Sequence, residues 1–95
     1  MNLELVLRKM SDLLNIPLKE YRRTIMLIGE RCTIFFDGDL LTFATNDSVF
    51  KIEIETITNV KIFEKTKHCK IELKNGTIKI IPLKNKKFKF FIELR

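Results

Sequence analysis

Two dipeptides, Asp37-Gly38 and Asn75-Gly76, restrict the folds open to this chain more than any other feature of its sequence. Asp-Gly and Asn-Gly favour the tight turns that reverse a β-strand, because these residue types tolerate the backbone angles of such turns. Each dipeptide also lies between two predicted strands, and the strand before Asn75-Gly76 alternates apolar and polar residues, the pattern of a strand with one buried face. The sequence therefore predicts β-hairpins and a mainly β fold.

The same alternation continues through the middle of the chain. It is clearest in residues 49–54, where three apolar side chains alternate with Lys51 and Glu53. A chain of 95 residues holds one domain and is too short for a second core. We predict seven strands, at residues 25–28, 32–36, 40–45, 49–54, 58–64, 69–74 and 77–81.

The N-terminal residues have the spacing of an amphipathic helix instead. Apolar residues recur there at helical intervals, with polar residues such as Glu4 and Arg8 between them. Pro17 either ends this helix or begins a short second turn that reaches Arg22. We predict an N-terminal helix in residues 1–20 and a β domain in residues 21–95. The apolar stripe of the helix is Leu3, Val6, Leu7, Met10, Leu13 and Leu14.

The last residues fit two structures. Phe88, Phe90, Ile92 and Leu94 alternate as a strand does, whereas Phe88, Phe91 and Ile92 have the spacing of one helical face. Periodicity alone does not distinguish a strand from a helix over so short a run.

Three stretches of the sequence carry a resemblance to a known fold family. They are residues 37–43 (DGDLLTF), 54–60 (IETITNV) and 71–82 (IELKNGTIKIIP). Together they resemble the hairpin and strand pattern of the pleckstrin-homology (PH) superfamily, in particular its bacterial PH and GRAM-like branch. The resemblance covers about residues 24–95. It implies a seven-stranded, partly open antiparallel barrel with a C-terminal helix from about Asn85, preceded here by the extra N-terminal helix.

Two features depart from that family. A leading helix is not a standard part of the PH-like fold. The loop between the first two predicted strands is Gly29-Glu30-Arg31, which lacks the spaced Lys and Arg of the phosphoinositide-binding members. An SH3-like or Sm-like barrel of about five strands, which also places a helix before its strands, is the alternative fold.

No motif for catalysis or metal binding is present in the sequence. It lacks the nucleophile elbow, the P-loop, the dinucleotide-binding glycines and the zinc-protease motif. His68 is the single histidine, and Cys32 and Cys69 are far apart and lie in predicted strands. We predict a non-catalytic binding or adaptor module that uses no metal, no cofactor and no small-molecule substrate.

Positive charge is concentrated toward the end of the sequence. Residues 65–95 hold ten Lys or Arg against Glu72 and Glu93, whereas residues 1–64 have a net charge of −2. Such a block attracts nucleic acid or an anionic membrane surface, although lysines also commonly serve as solvated surface residues. Phe63 and Phe90 stand among these lysines and could stack on bases or lie in the core. The candidate anion-binding residues are Lys65, Lys67, Lys70, Lys74, Lys79, Lys84, Lys86, Lys87 and Lys89.

The partner that we predict first is a protein, engaged through a sheet edge or through the apolar stripe of the N-terminal helix, which could also form a homodimer. Anionic lipid or nucleic acid, bound at the Lys-rich end, is the alternative partner. Glu4 precedes any apolar run, which is unlike a secretion signal, and no run is long enough to span a membrane. We therefore expect a cytoplasmic protein.

Overall fold

The computed structural model describes residues 2–29, 31–85 and 87–95. Its elements follow the chain as one α-helix, nine strands and a single 3-10 turn, Ile54–Thr56, between the fifth and sixth strands. The helix is α1 (Leu3–Leu14), and the strands are β1 (Leu18–Tyr21), β2 (Thr24–Ile28), β3 (Cys32–Asp37), β4 (Leu40–Thr45), β5 (Val49–Glu53), β6 (Ile57–Phe63), β7 (His68–Leu73), β8 (Gly76–Pro82) and β9 (Phe88–Leu94).

The N-terminal helix confirms the prediction from the apolar stripe. The Asn2 side chain caps its first turn by accepting a hydrogen bond from the Leu5 N–H at 3.2 Å. The helix ends at Leu14 because Asn15 adopts a left-handed conformation, with φ of 53°, two residues before Pro17. Pro17 therefore follows the end of the helix, and the next residues form β1 rather than a second helical turn.

The first sheet contains β1 to β5 in chain order, each strand antiparallel to the next. At the predicted Asp37-Gly38 turn, β3 and β4 pair from Asp37 opposite Leu40, which leaves a two-residue loop. Gly38 begins this loop with φ of 60°, and glycine at that position is typical of a type II′ hairpin.

The second sheet contains β6 to β9, again antiparallel and in chain order. The β7–β8 hairpin turns through Lys74 and Asn75, so that Leu73 pairs with Gly76. Strand β6 has an irregularity between Ile57 and Asn59, and the other two pairings of this sheet run without a bulge.

One core joins the two sheets and the helix. Buried side chains come from the first sheet, such as Leu27 and Ile34, from the second, such as Ile71 and Ile78, and from Met10 of α1. The Phe43 and Phe90 rings lie 5.1 Å apart between centroids, which shows where β4 approaches β9. Each sheet therefore has one face toward the core and one face toward solvent.

The predicted fold class is wrong. The structure has two antiparallel sheets of five and four strands, where a seven-stranded partly open barrel was expected. All seven predicted strands are present, but β1 and β9 are strands as well, and the small barrel of about five strands is not observed either. The predicted C-terminal helix is also wrong: Phe88–Leu94 forms β9, because alternation lets it pair along β8 with Phe88 buried in the core.

Within the described residues, no helix has the length and apolar character that crossing a membrane requires.

Candidate functional site

The solvent-facing side of the second sheet gathers residues that the sequence scatters over four strands. Strand β7 alternates strictly, with Cys69, Ile71 and Leu73 buried and the residues between them more exposed. The same alternation in β6, β8 and β9 turns charged and aromatic side chains to the side opposite the core. We call this side the outer face of the second sheet.

A row of three lysines crosses this outer face. Lys61 of β6 pairs with Lys70 of β7, and Lys70 pairs with Lys79 of β8. Lys79 in turn lies opposite Phe91 of β9. Residues directly opposite each other on adjacent strands have their Cβ atoms about 5 Å apart, so the row is a compact line of positive charge that ends in an aromatic ring.

Neighbouring like charges in a sheet are destabilising unless something compensates them. Lys61 is compensated within the chain, since its Nζ lies 3.2 Å from Oε1 of Glu72. Among the described residues, Lys70 and Lys79 have no ion-pair partner. The centre of the row is therefore a place where an external anion would relieve repulsion.

Aromatic rings lie beside the lysine row. The Phe63 and His68 rings stack with centroids 4.4 Å apart and planes 16° from parallel, and Thr66 Oγ1 is 2.5 Å from His68 Nδ1. Phe63 is 41% exposed and Phe91 is 50% exposed, so both rings are open to solvent. Lys89 Nζ lies 5.1 Å from the centre of the Phe91 ring. Together we call Lys61, Lys70, Lys79, Lys89, Phe63, His68 and Phe91 the basic–aromatic face.

The loops of the second sheet extend this face at one end. In an antiparallel sheet of consecutive strands, the β6–β7 turn and the β8–β9 loop lie at the same end. Lys65 and Lys67 are in the former, and Lys84 and Lys87 are in the latter. Lys74 is in the β7–β8 turn at the opposite end, and Lys86 lies outside the described residues.

Toward the opposite end, the row of strand residues on the outer face is acidic or neutral. The register places Asn59, Glu72, Thr77 and Glu93 side by side across the four strands. The face is therefore polarised, with its positive charge and exposed rings at the end that carries the β6–β7 turn and the β8–β9 loop.

The structure separates the predicted lysines into two groups. It brings Lys70, Lys79 and Lys89 together on the outer face and places the loop lysines at its two ends, with Lys74 alone at one and Lys65, Lys67, Lys84 and Lys87 at the other. It also adds Lys61, which falls outside the basic block of the sequence and joins the row because β6 pairs with β7. Phe90, a candidate stacking residue by sequence, instead packs inward against Phe43, and its neighbour Phe91 takes the exposed position.

The residues predicted for a protein contact lie along α1. Leu3, Leu7, Met10 and Leu14 are buried within the same chain, and Val6 and Leu13 are partly exposed. The apolar stripe thus packs on the body of the molecule as it stands, and the prediction that it contacts a partner stays a prediction.

Both cysteines are thiols rather than reactive thiolates at neutral pH. They are free and buried. Burial raises the pKa of Cys32 to about 11 and that of Cys69 to about 12. No cluster of three or more His, Cys, Asp or Glu suited to a metal ion occurs in the described part of the chain.

No family model, curated protein or solved structure matches this chain.

Proposed function

We propose that this protein is a non-catalytic binding module that holds single-stranded nucleic acid, in the cytoplasm, on the basic–aromatic face. The observation that carries the proposal is the register of the second sheet, which lines up Lys61, Lys70, Lys79 and Phe91 across four strands. Lysines supply attraction to the phosphate backbone, and exposed rings supply stacking surfaces for bases of any sequence.

A single strand fits this face better than a duplex does. Phe63 and Phe91 are on the two outermost strands of the sheet, which lie about 14 Å apart at the usual strand spacing, and Phe63 is two residues along β6 from the row that contains Phe91. Stacking on these rings requires bases that are already unstacked, as in loops and single strands. A face four strands wide is also broader than the two-stranded ribbon that the major groove of a duplex admits. The separation of the rings suits an oligonucleotide of several residues.

Exposed rings also favour nucleic acid over an anionic membrane surface. Lysines alone would be attracted to either polyanion. The stacked Phe63–His68 pair and the Lys89–Phe91 contact present flat π faces, which bases use and lipid headgroups do not. Binding to a protein through α1 is less well supported, because most of the stripe is buried.

The test is binding of fluorescein-labelled dT15 and rU15, followed by anisotropy over a range of salt concentrations. We expect Lys70→Gln and Lys79→Gln each to weaken binding and to reduce the slope of log K against log salt by roughly 0.7 to 1. We expect Phe63→Ala and Phe91→Ala to weaken binding roughly 5- to 150-fold at fixed salt while leaving that slope unchanged, because a stacked base contributes about 1–3 kcal/mol.

The first sheet provides matched control positions. Lys19 and Tyr21 are exposed on β1, and Lys19→Gln and Tyr21→Ala remove the same kinds of group from a different surface. These two variants should bind as the parent does. Absence of binding at low salt, or equal losses in the control variants, would contradict the proposal. Binding to phosphatidylserine vesicles that survives Phe63→Ala and Phe91→Ala, without oligonucleotide binding, would assign the lysines to a membrane surface.

A further inference from the structure

Strand β9 ends the second sheet with one edge unpaired. It pairs with β8 over seven consecutive residues without a bulge, and it contains no proline. The other edge strand of this sheet, β6, has an irregularity between Ile57 and Asn59. Bulges, prolines, short lengths and charged side chains are the usual devices that prevent a sheet edge from pairing with another chain. Strand β9 has only the last of these, in Lys89 and Glu93.

The hydrogen bonds at the ends of β9 show which of its backbone groups face outward. The Leu83 N–H donates to the Lys87 carbonyl at 2.8 Å, and the Arg95 N–H donates to the Asn75 carbonyl at 2.8 Å. Since bonding alternates along an antiparallel pair, the odd-numbered residues of β9 bond to β8. The N–H and C=O groups of Phe90, Ile92 and Leu94 therefore point to the free edge.

A contact from the first sheet supports this assignment. The Cys32 Sγ–H donates to the carbonyl of Phe88 at 3.5 Å, so an even-numbered carbonyl does face away from β8. No other described residue hydrogen bonds to the outward groups from Phe88 to Leu94. Three consecutive outward residues, Phe90, Ile92 and Leu94, thus offer a free ladder to another strand.

We propose that the occupant of this edge is a second copy of the chain, with β9 pairing antiparallel to β9 of the partner about a two-fold axis at Phe91. This register sets the seven residues of the two strands opposite each other, and because the Phe88 carbonyl already accepts a hydrogen bond from Cys32, the new backbone bonds form at Phe90 and Ile92. Phe90 then exchanges two hydrogen bonds with the partner's Ile92, and Ile92 does the same with the partner's Phe90. The backbone N–H and C=O groups of both residues face the free edge, so they are positioned to form these bonds.

Charge complementarity and length of overlap together favour this register. With the axis at Phe91, Lys89 lies opposite the partner's Glu93, and Glu93 lies opposite the partner's Lys89. These are pairs without direct backbone bonds, where side chains approach closest, and opposite charges there are stabilising. Moving the axis to Ile92 would instead set Lys89 against the partner's Arg95. The sequence of β9 is thus complementary to itself in the register that gives the longest ladder.

The side chains of this edge also fit the pairing. Leu94, 54% exposed in the single chain, would lie opposite the partner's Phe88. Beside Phe88 is an open groove of about 480 Å³, which Cys32, Thr45 and Phe90 also line. Within this groove Phe88 and Phe90 would give the incoming leucine an apolar contact, while Arg31, Asn46, Asp47 and Ser48 form its polar side. On the other side of the sheet, Phe91 meets the partner's Phe91, and the two second sheets become one sheet of eight strands.

The test is sedimentation equilibrium of the protein alone, from micromolar to millimolar concentration, without nucleic acid. We expect a concentration-dependent dimer. Lys89→Glu and Glu93→Lys should each raise the dissociation constant about tenfold or more, because each places two pairs of like charges at the seam.

Combining the charge changes gives the decisive result. An equimolar mixture of the Lys89→Glu and Glu93→Lys proteins should form a one-to-one heterodimer, since every facing pair is again opposite in charge. The double variant Lys89→Glu/Glu93→Lys should dimerise as the parent does. Lys70→Glu, on the same face but away from the seam, is the matched control and should leave association unchanged. All three positions face solvent, and far-ultraviolet circular dichroism checks folding.

A parent protein that stays monomeric at millimolar concentration would overturn this proposal. Single variants that dimerise like the parent, or a mixture that fails to associate, would also overturn it. Because no oligonucleotide is present, failure here is independent of the outcome for nucleic-acid binding.

Discussion

At the scale of single residues, the two thiols show how burial sets chemistry. Cys69 is 1% exposed near the start of β7, and Cys32 begins β3 with its sulfur against the Phe88 carbonyl. A thiolate in either position would lose its hydration, which is why the pKa values rise from 9.0 to about 12 and about 11. These cysteines serve as small apolar side chains, and their protonated form is the one that the fold accommodates.

This burial predicts a loss of stability in alkaline solution. Below pH 9.0 the thiols are protonated in both states, so their contribution to stability is fully present. Above pH 9.0 the unfolded chain loses protons that the folded chain keeps, so the free energy of unfolding falls as pH rises toward the folded pKa of about 12. For Cys69 alone the fall is about 1.4 kcal/mol at pH 10. Urea unfolding at pH 8, 9 and 10 measures it.

The variant Cys69→Ala separates this effect from other alkaline titrations. It leaves a cavity and lowers stability at every pH, but its free energy of unfolding should fall less steeply between pH 8 and pH 10 than that of the parent. Equal slopes for parent and variant would show that the Cys69 thiol does not control alkaline stability.

At the scale of elements, β9 is a segment for which sequence periodicity does not determine whether a strand or a helix forms. The residues from Phe88 to Leu94 fit both a strand and a helix, and the resemblance to PH-like domains favoured the helix. What decides is the available partner: β8 offers a matching row from Gly76 to Pro82, and pairing places Phe88, Phe90 and Ile92 toward the core. A local sequence pattern does not indicate whether another part of the chain will supply a partner strand.

Strand β1 was missed for a related reason. Leu18–Tyr21 has only four residues, and three of them are exposed, so it lacks an alternating apolar signal. It is a strand because β2 supplies hydrogen bonds along its whole length. The seven predicted strands carry their own local signal, either alternation or, as in residues 25–28, a short apolar run that ends at a turn residue.

The candidate site was predictable in composition and not in arrangement. The excess of lysine in residues 65–95 and the outward position of Phe63 both follow from the sequence. The alignment of Lys61 with Lys70 and Lys79, and the exchange of Phe90 for Phe91 on the outer face, depend on strand register and on β9 being a strand. Register is set by long-range pairing, so the row could not be derived from a count of charges.

Gly76 yields a prediction at the same scale. It begins β8 opposite Leu94, and a Cβ atom there would lie 2.3 Å from the Glu93 carbonyl oxygen and 3.1 Å from the Leu94 Cα. Both are backbone atoms, so β8 and β9 must separate at this end to admit any side chain. We expect Gly76→Ala to destabilise the protein by about 1–3 kcal/mol, and to increase hydrogen exchange at the Arg95 N–H, which bonds Asn75.

Gly38→Ala is the matched control. A Cβ atom at Gly38 meets nothing within 4 Å, but its φ of 60° is strained for alanine. We expect Gly38→Ala to lower the free energy of unfolding by about 1 kcal/mol. Hydrogen exchange at the Arg95 N–H should stay unchanged. If Gly76→Ala is as stable as the parent, the two strands do not approach as closely as the structure shows.

At the scale of the whole molecule, the helix joins the sheets through one core. Two sheets of consecutive antiparallel strands contribute one face each, and α1 contributes Leu7, Met10 and Leu14 to the same cluster. The contact is reinforced at the surface by an ion pair between Arg8 of α1 and Glu20 of β1. A domain this small buries a limited apolar area, so the helix is a substantial share of what stabilises it.

The prediction that follows distinguishes an integral helix from a detachable one. Met10 is 1% exposed, and Met10→Ala should lower the free energy of unfolding by about 2–5 kcal/mol, a large fraction of the total for a small domain. Leu5 is on the same helix and is 61% exposed, so Leu5→Ala is the control. It should change the free energy of unfolding by less than about 0.5 kcal/mol. Urea unfolding followed by circular dichroism measures both.

The shape of the unfolding curve distinguishes an integral helix from a detachable one. If α1 is integral, helix and sheet signals in Met10→Ala unfold together at a lower urea concentration. If α1 is instead an arm that a protein partner captures through its apolar stripe, Met10→Ala releases the helix while the sheets unfold at the parent's midpoint. Heteronuclear NMR spectra without urea would then show shifted amides in Leu3–Leu14 and an otherwise unchanged sheet. The buried stripe favours the first outcome, and the second would restore α1 as a protein-binding element.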